Sequence, residues 1–553
     1  MQDYEKSVSF LGTWGSFQRR VFFLLCLTSI PSGYNILSPI FLMASPLHHC
    51  HIPTHSNLSQ DWIQASIPIQ QELEMSSCSR YELDLVQNLS ALGSNPEVFL
   101  SSLKQEDCKD GWTYSTEYYQ STVVTEFNLV CRDQWKQPLS SSIYFLGGLC
   151  GCFISGQVSD RFGRKPVLFG SITMLSIFSG AVAFAPSWPI FTVLFFMMGL
   201  CQLSSYIVVF VLGSEILTGS TRVLFSSLGL PLSYVIGTML LPGTTFLVRK
   251  WRHQSLIMAV PGLACLPFWW LVPESPRWLA SCGRLQEAEL VLRSAALENK
   301  VEPPQVIFIP AKVEKAASQN TEALSFLDLL RTKNMRYVTL ILWLIWFFLS
   351  ISLFGVVFNI SSLYGNPFLN YFLVVAVEIP AHAVSWLMAR SCPRRVSFIS
   401  FTLLGVLSVL LILTLHSPGL TLFLVLLGKF GIQGGTAVSY VYTGELSPTV
   451  IRNTEMSTCA MFSRLGSSIS PYLLQLAVFY QFLPWIVVGS LSLLSVLLCV
   501  LLPETFRKPL PDTIQQITLP QWWPWASMPP LKDDGRSAKD QSIEPDIICT
   551  TYL

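Results

Sequence analysis

The sequence predicts an all-α membrane protein of twelve transmembrane helices arranged as two pseudo-symmetric six-helix halves. Three observations carry that prediction. Of the 553 residues, 51% are apolar and only 12% are charged, about half the charge of an ordinary soluble chain. Apolar runs of spanning length recur twelve times. They fall six and six about one long polar connection. The 35 Lys and Arg nearly cancel the 34 Asp and Glu, leaving a net charge of +1. That balance excludes a nucleic-acid binder, which is strongly basic, so no nucleic-acid partner is expected. The low charge excludes a disordered regulator and an ordinary cytosolic enzyme.

The runs read as 21–42, 139–158, 166–186, 189–212, 223–247, 255–272, 337–358, 367–389, 397–416, 420–443, 454–477 and 483–502. Each approaches the roughly 20 residues needed to cross a bilayer. In lipid the backbone must satisfy its own polar groups, so the runs are helices. The divisions are a cytosolic N-terminus 1–20, a first half 21–272, a connection 273–336, a second half 337–502 and a tail 503–553. Arg19 and Arg20 precede the first run with no cleavage site after it, so span one reads as an uncleaved anchor.

Orientation follows Lys and Arg in the short loops. Arg161, Arg164 and Lys165 follow span two, and Arg390, Arg394 and Arg395 follow span eight. Both termini are therefore expected in the cytosol. One connection disagrees: Arg249, Lys250 and Arg252 fall between spans five and six, on the expected outside. The outer loop 44–137 carries Cys50, Cys78, Cys108 and Cys131, which fit two disulfides in any of three pairings. It also carries the sequons at Asn57 and Asn88. A third sequon, Asn359-Ile360-Ser361, lies close to span seven. Cys150 and Cys152 lie one residue apart in an apolar run with no His nearby, and read as packing residues; no metal site is expected.

Charges inside spans are costly and mark function by default. Few qualify: Glu378 in span eight, Lys429 in span ten and Arg464 in span eleven. Glu378 and Lys429 read either as substrate contacts or as an ion pair between helices. Arg464 sits among small residues, Phe462-Ser463-Arg464-Leu465-Gly466-Ser467. Its guanidinium can hold a carboxylate through two parallel hydrogen bonds, or pair internally with Glu378. Aromatic rings that could enclose an ammonium group are Tyr206, Tyr234, Trp343, Trp346, Phe354, Tyr440 and Tyr442. Among these, Tyr206, Tyr234, Trp343 and Tyr440 stand as substrate contacts beside Arg464.

After span two the chain reads Gly156-Gln157-Val158-Ser159-Asp160-Arg161-Phe162-Gly163-Arg164-Lys165. This resembles the signature loop of the major facilitator superfamily. Pro273-Glu274-Ser275-Pro276-Arg277-Trp278-Leu279, the stretch Tyr442 to Asn453 that contains Glu445 and Arg452, and Pro503-Glu504-Thr505 resemble solute carrier family 22. Asp110-Gly111-Trp112 and Thr125-Glu126-Phe127-Asn128-Leu129-Val130-Cys131 are similar to its organic cation/carnitine, or zwitterion, branch. The resemblance runs from about Tyr4 to Thr513. It implies the major facilitator fold, alternating access with a substrate site at midplane between the halves, and a plasma-membrane carrier rather than an enzyme. Asp160, Arg161, Gly163, Arg164, Glu274, Arg277, Glu445 and Arg452 are then the signature-loop residues.

The resemblance also implies that a basic residue at Arg464 goes with a carboxylate-bearing substrate, a small zwitterion or cation. An organic anion is the competing cargo within the family, and a non-transporting receptor is the competing class. Tyr206 and Tyr234 match aromatic cavity positions of the branch. Its sodium site maps to Gln202, with Ser32 and Ser205 standing where the pattern has Asn, so coupling to Na⁺ through weaker ligands, sodium-independent zwitterion exchange and a shifted substrate all stay open. No other cofactor is implied. The loop-like stretch Gly213 to Thr221 lacks the Lys a phosphate loop needs. The tail ends Thr551-Tyr552-Leu553, which fits capture by a PDZ domain.

Overall fold

The computed structural model describes residues 8–53, 56, 58–68, 76–91, 104–305, 307, 329–415, 417–448 and 451–506. Asn57 and the PDZ motif Thr551–Leu553 lie outside the described residues. The chain is an all-α bundle of the predicted spans. Ten of them cross by length and composition alone. Span six, an α-helix over Trp251–Cys265 continued by a 3-10 turn at Leu266–Trp270, is not among them. Span eleven, Arg452–Ile469, falls short because it is polar, carrying both Glu455 and Arg464.

Two spans are less regular than their hydropathy suggests. Span eight is two helices, Pro367–Ala376 and Glu378–Ser391, meeting at Val377. Span five starts as Gly219–Leu224, passes through a π turn at Phe225–Gly229 and continues as Leu230–Leu247. Such π turns inside helices often accompany functional sites. Span one packs against span five so closely that a Cβ on Gly33 would stand 2.1 Å from the Tyr234 carbonyl oxygen. Only glycine permits that approach.

The halves meet where span two packs on span eleven and span five on span eight. At the end bearing the outer loop, Phe368 of span eight closes the seam. It stacks on Phe41 at 6.3 Å and meets Tyr119 at 5.3 Å and Phe246 at 5.9 Å. Both described termini lie at the opposite end, where Arg20 pairs with Glu298 at 2.7 Å and Glu504 accepts the Arg394 backbone N–H at 3.0 Å.

The outer loop is a small knot of two antiparallel ribbons, His48–Cys50 with Trp112–Tyr114 and Ser79–Tyr81 with Gln105–Asp107. Of the three pairings left open by the sequence, the structure has Cys50–Cys108 and Cys78–Cys131. Arg80, almost wholly buried, bridges Glu106 at 3.1 Å and Asp110 at 2.7 Å. Asn88 is exposed on the helix Leu83–Ala91, whereas Asn359 is 1% exposed and donates to the Gly355 carbonyl.

The segment that broke the charge rule docks this loop, Arg249 and Arg252 through their side chains and Lys250 through its backbone. Arg252 pairs with Glu126, whose carboxylate also accepts the Trp251 indole N–H at 2.6 Å. Arg249 donates to the Glu117 carbonyl at 3.0 Å, and Lys250 forms a backbone bridge with Ser121.

Candidate functional site

The signature loops form two clamps at the end that carries the termini. In the first, Gly163 has φ +107° and turns span two into span three. A Cβ on Gly163 would lie 2.6 Å from a Glu274 oxygen, which explains the glycine. Arg164 then reaches Asp160 at 2.5 Å and straddles both oxygens of Glu215 at 3.2 and 3.3 Å. Glu274 accepts the backbone N–H groups of Arg164, Lys165 and Ser275 at 3.0, 3.2 and 2.9 Å. Asp160 also accepts the Trp278 indole N–H on its carbonyl, at 2.9 Å.

The second clamp repeats the first. Arg394 straddles both oxygens of Glu445 at 2.8 and 3.1 Å, and Glu504 accepts the N–H groups of Arg394, Arg395 and Thr505 at 3.0, 3.1 and 3.0 Å. Glu445 also accepts the Thr505 hydroxyl at 2.7 Å. Sequence reasoning chose Glu445 but passed over Arg394 as a clamp residue, and passed over Glu504. A signal was available: residues 164, 215 and 274 recur at 394, 445 and 504, a constant offset of 230. Of the remaining signature residues, Arg161 is exposed and lies over the Phe162 ring, Arg452 donates to the Ser447 carbonyl at 3.4 Å, and Arg277 makes no ion pair among the described residues.

Between the halves the structure gathers most of the predicted substrate residues. Tyr206 and Tyr234 meet edge to face, with centroids 4.9 Å apart. Arg464 lies within electrostatic reach of both, and of Tyr144 and Tyr440. Its guanidinium makes no ion pair or hydrogen bond among the described residues. Tyr440 packs edge on Trp346 at 4.4 Å, yet it is 47% exposed while ringed by Trp346, Arg464 and Tyr206 from three other spans. An exposed ring so enclosed faces a central cavity. A half-buried guanidinium among phenol rings is equipped to bind a carboxylate beside an ammonium group.

Three predicted residues stand differently. Glu378 pairs with Lys429 at 2.8 Å, not with Arg464, and Lys429 is 2% exposed. The pair ties span eight to span ten, one turn from the contact between His382 and Gln433 at 3.2 Å. Trp343 is 6% exposed; it stacks on Phe462 at 4.6 Å and donates its indole N–H to the Thr458 hydroxyl at 3.0 Å. It joins spans seven and eleven instead of lining the cavity.

The three residues predicted to form an ion site come together. The Ser32 and Ser205 hydroxyls share a hydrogen bond of 2.6 Å. The Gln202 carboxamide donates to the Ser32 carbonyl at 2.9 Å and to the Tyr234 hydroxyl at 3.3 Å. All three are buried, and the Tyr234 bond links them to the tyrosine pair. The donor set is two hydroxyls, one carbonyl and one carboxamide. These are oxygen donors suited to a hard cation, and the two serine hydroxyls would have to part to admit one.

This architecture is that of a major facilitator transporter. The xylose transporter XylE from E. coli in its inward-open conformation superposes with a TM-score of 0.60 at 15% identity, over 89% of this chain and 98% of that one. Its sugar-bound proton:xylose symporter form gives a TM-score of 0.57 at 15% identity, over 90% and 98%. Residues 99–515 match the family described as "Sugar (and other) transporter". Organic cation/carnitine transporter 2 of Homo sapiens is 44% identical over 526 residues, 94% of each chain. Solute carrier family 22 member 4 of Mus musculus is 42% identical over 524 residues, 94% of this chain and 95% of that one. The chain belongs to solute carrier family 22.

Proposed function

We propose that the protein carries small organic zwitterions and cations, of the carnitine and betaine type, across the plasma membrane by alternating access, with both termini in the cytosol. It makes and breaks no covalent bond. Arg464 carries this reading: among the described residues it is a cation without a counter-ion, set among Tyr206, Tyr234 and Tyr440 at the seam between the halves. A substrate carboxylate supplies the missing partner, and the phenol faces attract the ammonium end. The relatives' names, organic cation and carnitine transporters, support the same cargo. Gln202, Ser32 and Ser205 form the site for a weakly coupled Na⁺. The tail Thr551–Leu553 docks a PDZ domain, and Asn57 and Asn88 carry glycans.

The test is uptake of labelled carnitine and of tetraethylammonium, which has no carboxylate, in cells expressing the chain or Arg464→Ala. Losing charge-assisted hydrogen bonds of about 1.5–3 kcal/mol lowers carnitine uptake by about tenfold or more. Tetraethylammonium uptake is retained. Unchanged carnitine uptake at equal surface expression rules out the carboxylate role. A dicarboxylate competitor tests the organic-anion reading, and the same assay in sodium-free medium reads the coupling.

A further inference from the structure

Glu455 is a buried acid that the transport reading does not use. It lies in the first turn of span eleven and is fully buried. One carboxyl oxygen accepts the Thr339 hydroxyl of span seven at 3.0 Å, and the other meets the Cys459 sulfur at 3.8 Å. Thr339 and Cys459 are themselves fully buried, and neither carries a positive charge.

The charges around it are elsewhere engaged. On its own helix, Arg464 comes nine residues later, about two and a half turns on and so on the opposite face. Arg452 directs a guanidinium nitrogen to the Ser447 carbonyl at 3.4 Å. Span seven presents Thr339, and among the described residues no Lys, Arg or His acts on the carboxyl group. From span ten Tyr440 lies within reach of Cys459, and from span two Cys152 lies beside Arg464. The contrast with other sequestered acids is sharp: Glu445 has Arg394, Glu378 has Lys429 and Glu106 has Arg80. An ionised carboxylate sealed from water without a cation costs several kcal/mol; the neutral acid does not, and it can share hydrogen bonds with both neighbours.

We infer that Glu455 is a proton-binding site, holding a proton while it is sealed between spans seven and eleven and releasing it when water reaches its carboxyl group. The proton passes between the carboxyl oxygen and water, and no other bond is made or broken. Glu455 sits near the end that bears the termini, so it exchanges with the compartment on that side. A site that binds a proton in one state and not the other makes the proton an effector of the conformational equilibrium.

The binding arm needs no substrate, so its result is independent of the transport reading. The purified full-length chain in lipid nanodiscs is titrated by infrared difference spectroscopy. Wild type is expected to show a protonated-carboxyl C=O band at neutral pH. Glu455→Gln loses that band, and Thr339→Val, which keeps the acid but removes its donor, shifts it. Identical spectra in all three overturn the site. The coupling arm is tetraethylammonium flux with cytosolic pH clamped between about 6 and 7.5. Wild-type flux changes at least about threefold, Glu455→Gln is flat and Glu455→Asp keeps a pH response. A Glu455→Gln profile parallel to wild type overturns the coupling.

Discussion

The two halves share one clamp and divide the chemistry inside the bilayer unequally. Arg164, Glu215 and Glu274 in the first half occupy the same roles as Arg394, Glu445 and Glu504 in the second. Their surroundings differ. Arg164 has a second acid, Asp160, which is 71% exposed. The residue 230 further on is Arg390, which instead lies over the Trp386 ring at 4.1 Å. The first clamp is therefore wetter and doubly compensated, and the second is a dry single pair, with side chains 6% and 7% exposed. Within the spans the asymmetry is complete. The predicted spans of the first half contain no Asp, Glu, Lys or Arg, whereas the second half holds Glu378, Lys429, Glu455 and Arg464. One half offers hydroxyl, carboxamide and phenol surfaces, and the other supplies the charge. A zwitterion held at the seam would meet a different chemistry on each side.

The largest effect should come from breaking the drier clamp. Arg394→Ala leaves Glu445 buried with only the Thr505 hydroxyl, and stranding a buried charge costs about 3–5 kcal/mol. Arg164→Ala leaves Glu215 with more access to water and should cost less. Thermal unfolding of both variants, followed by size-exclusion fluorescence, checks the ranking. Equal losses would mean that the two clamps are energetically equivalent despite their different burial.

Next comes the pair inside the charged half. Lys429→Ala strands Glu378, and Glu378→Ala strands Lys429, each at a cost of a few kcal/mol. Removing both leaves no unpaired charge, so the double variant should be more stable than Lys429→Ala alone. A double-mutant cycle on unfolding temperature measures this coupling. If the double variant is as unstable as the sum of the singles, the pair does not hold spans eight and ten together, and a direct substrate role for Glu378 or Lys429 gains ground.

These comparisons show what the sequence made legible. The spans were legible because lipid forces long apolar runs, and hydropathy records them. The break at Val377 and the π turn at Phe225–Gly229 were not, since a slipped hydrogen-bond register leaves composition unchanged. Arg464, Tyr206 and Tyr234 were legible as a charge and aromatics in apolar surroundings, helped by family resemblance. Trp343 looked the same in sequence, and only packing separates it from Tyr440. Glu455 escaped because an acid one residue inside a span boundary reads as an end charge; span seven, more than a hundred residues earlier, is what seals it. The disulfide pairing and the docking role of Arg249 and Arg252 depend on how the outer loop folds, which no local pattern specifies.

The smallest effect is expected where the outer loop touches the charge-free half. Glu126 accepts from Arg252 and from the Trp251 indole, and the Arg252 guanidinium holds its carboxyl below the usual carboxylate range. A group depressed in the folded state contributes stability that is present above its unfolded pKa and lost as pH falls through the folded value. Docking of the loop should therefore be intact at neutral pH and loosen only in acid, below the ordinary carboxylate range. Both side chains are about a third exposed, 37% and 34%, so water and salt screen the pair and the contribution is modest. Glu126→Gln keeps the indole acceptor but loses the charge. It should loosen the loop at neutral pH without unfolding the bundle, since the two disulfides still hold the loop's own ribbons. Limited proteolysis between the loop and span two reads this directly: faster cleavage in Glu126→Gln at neutral pH, and in wild type only after acidification. Cleavage at one rate in both, at every pH, would show that the backbone bridge at Lys250 and the ring contacts of Phe368 are enough to dock the loop without the ion pair.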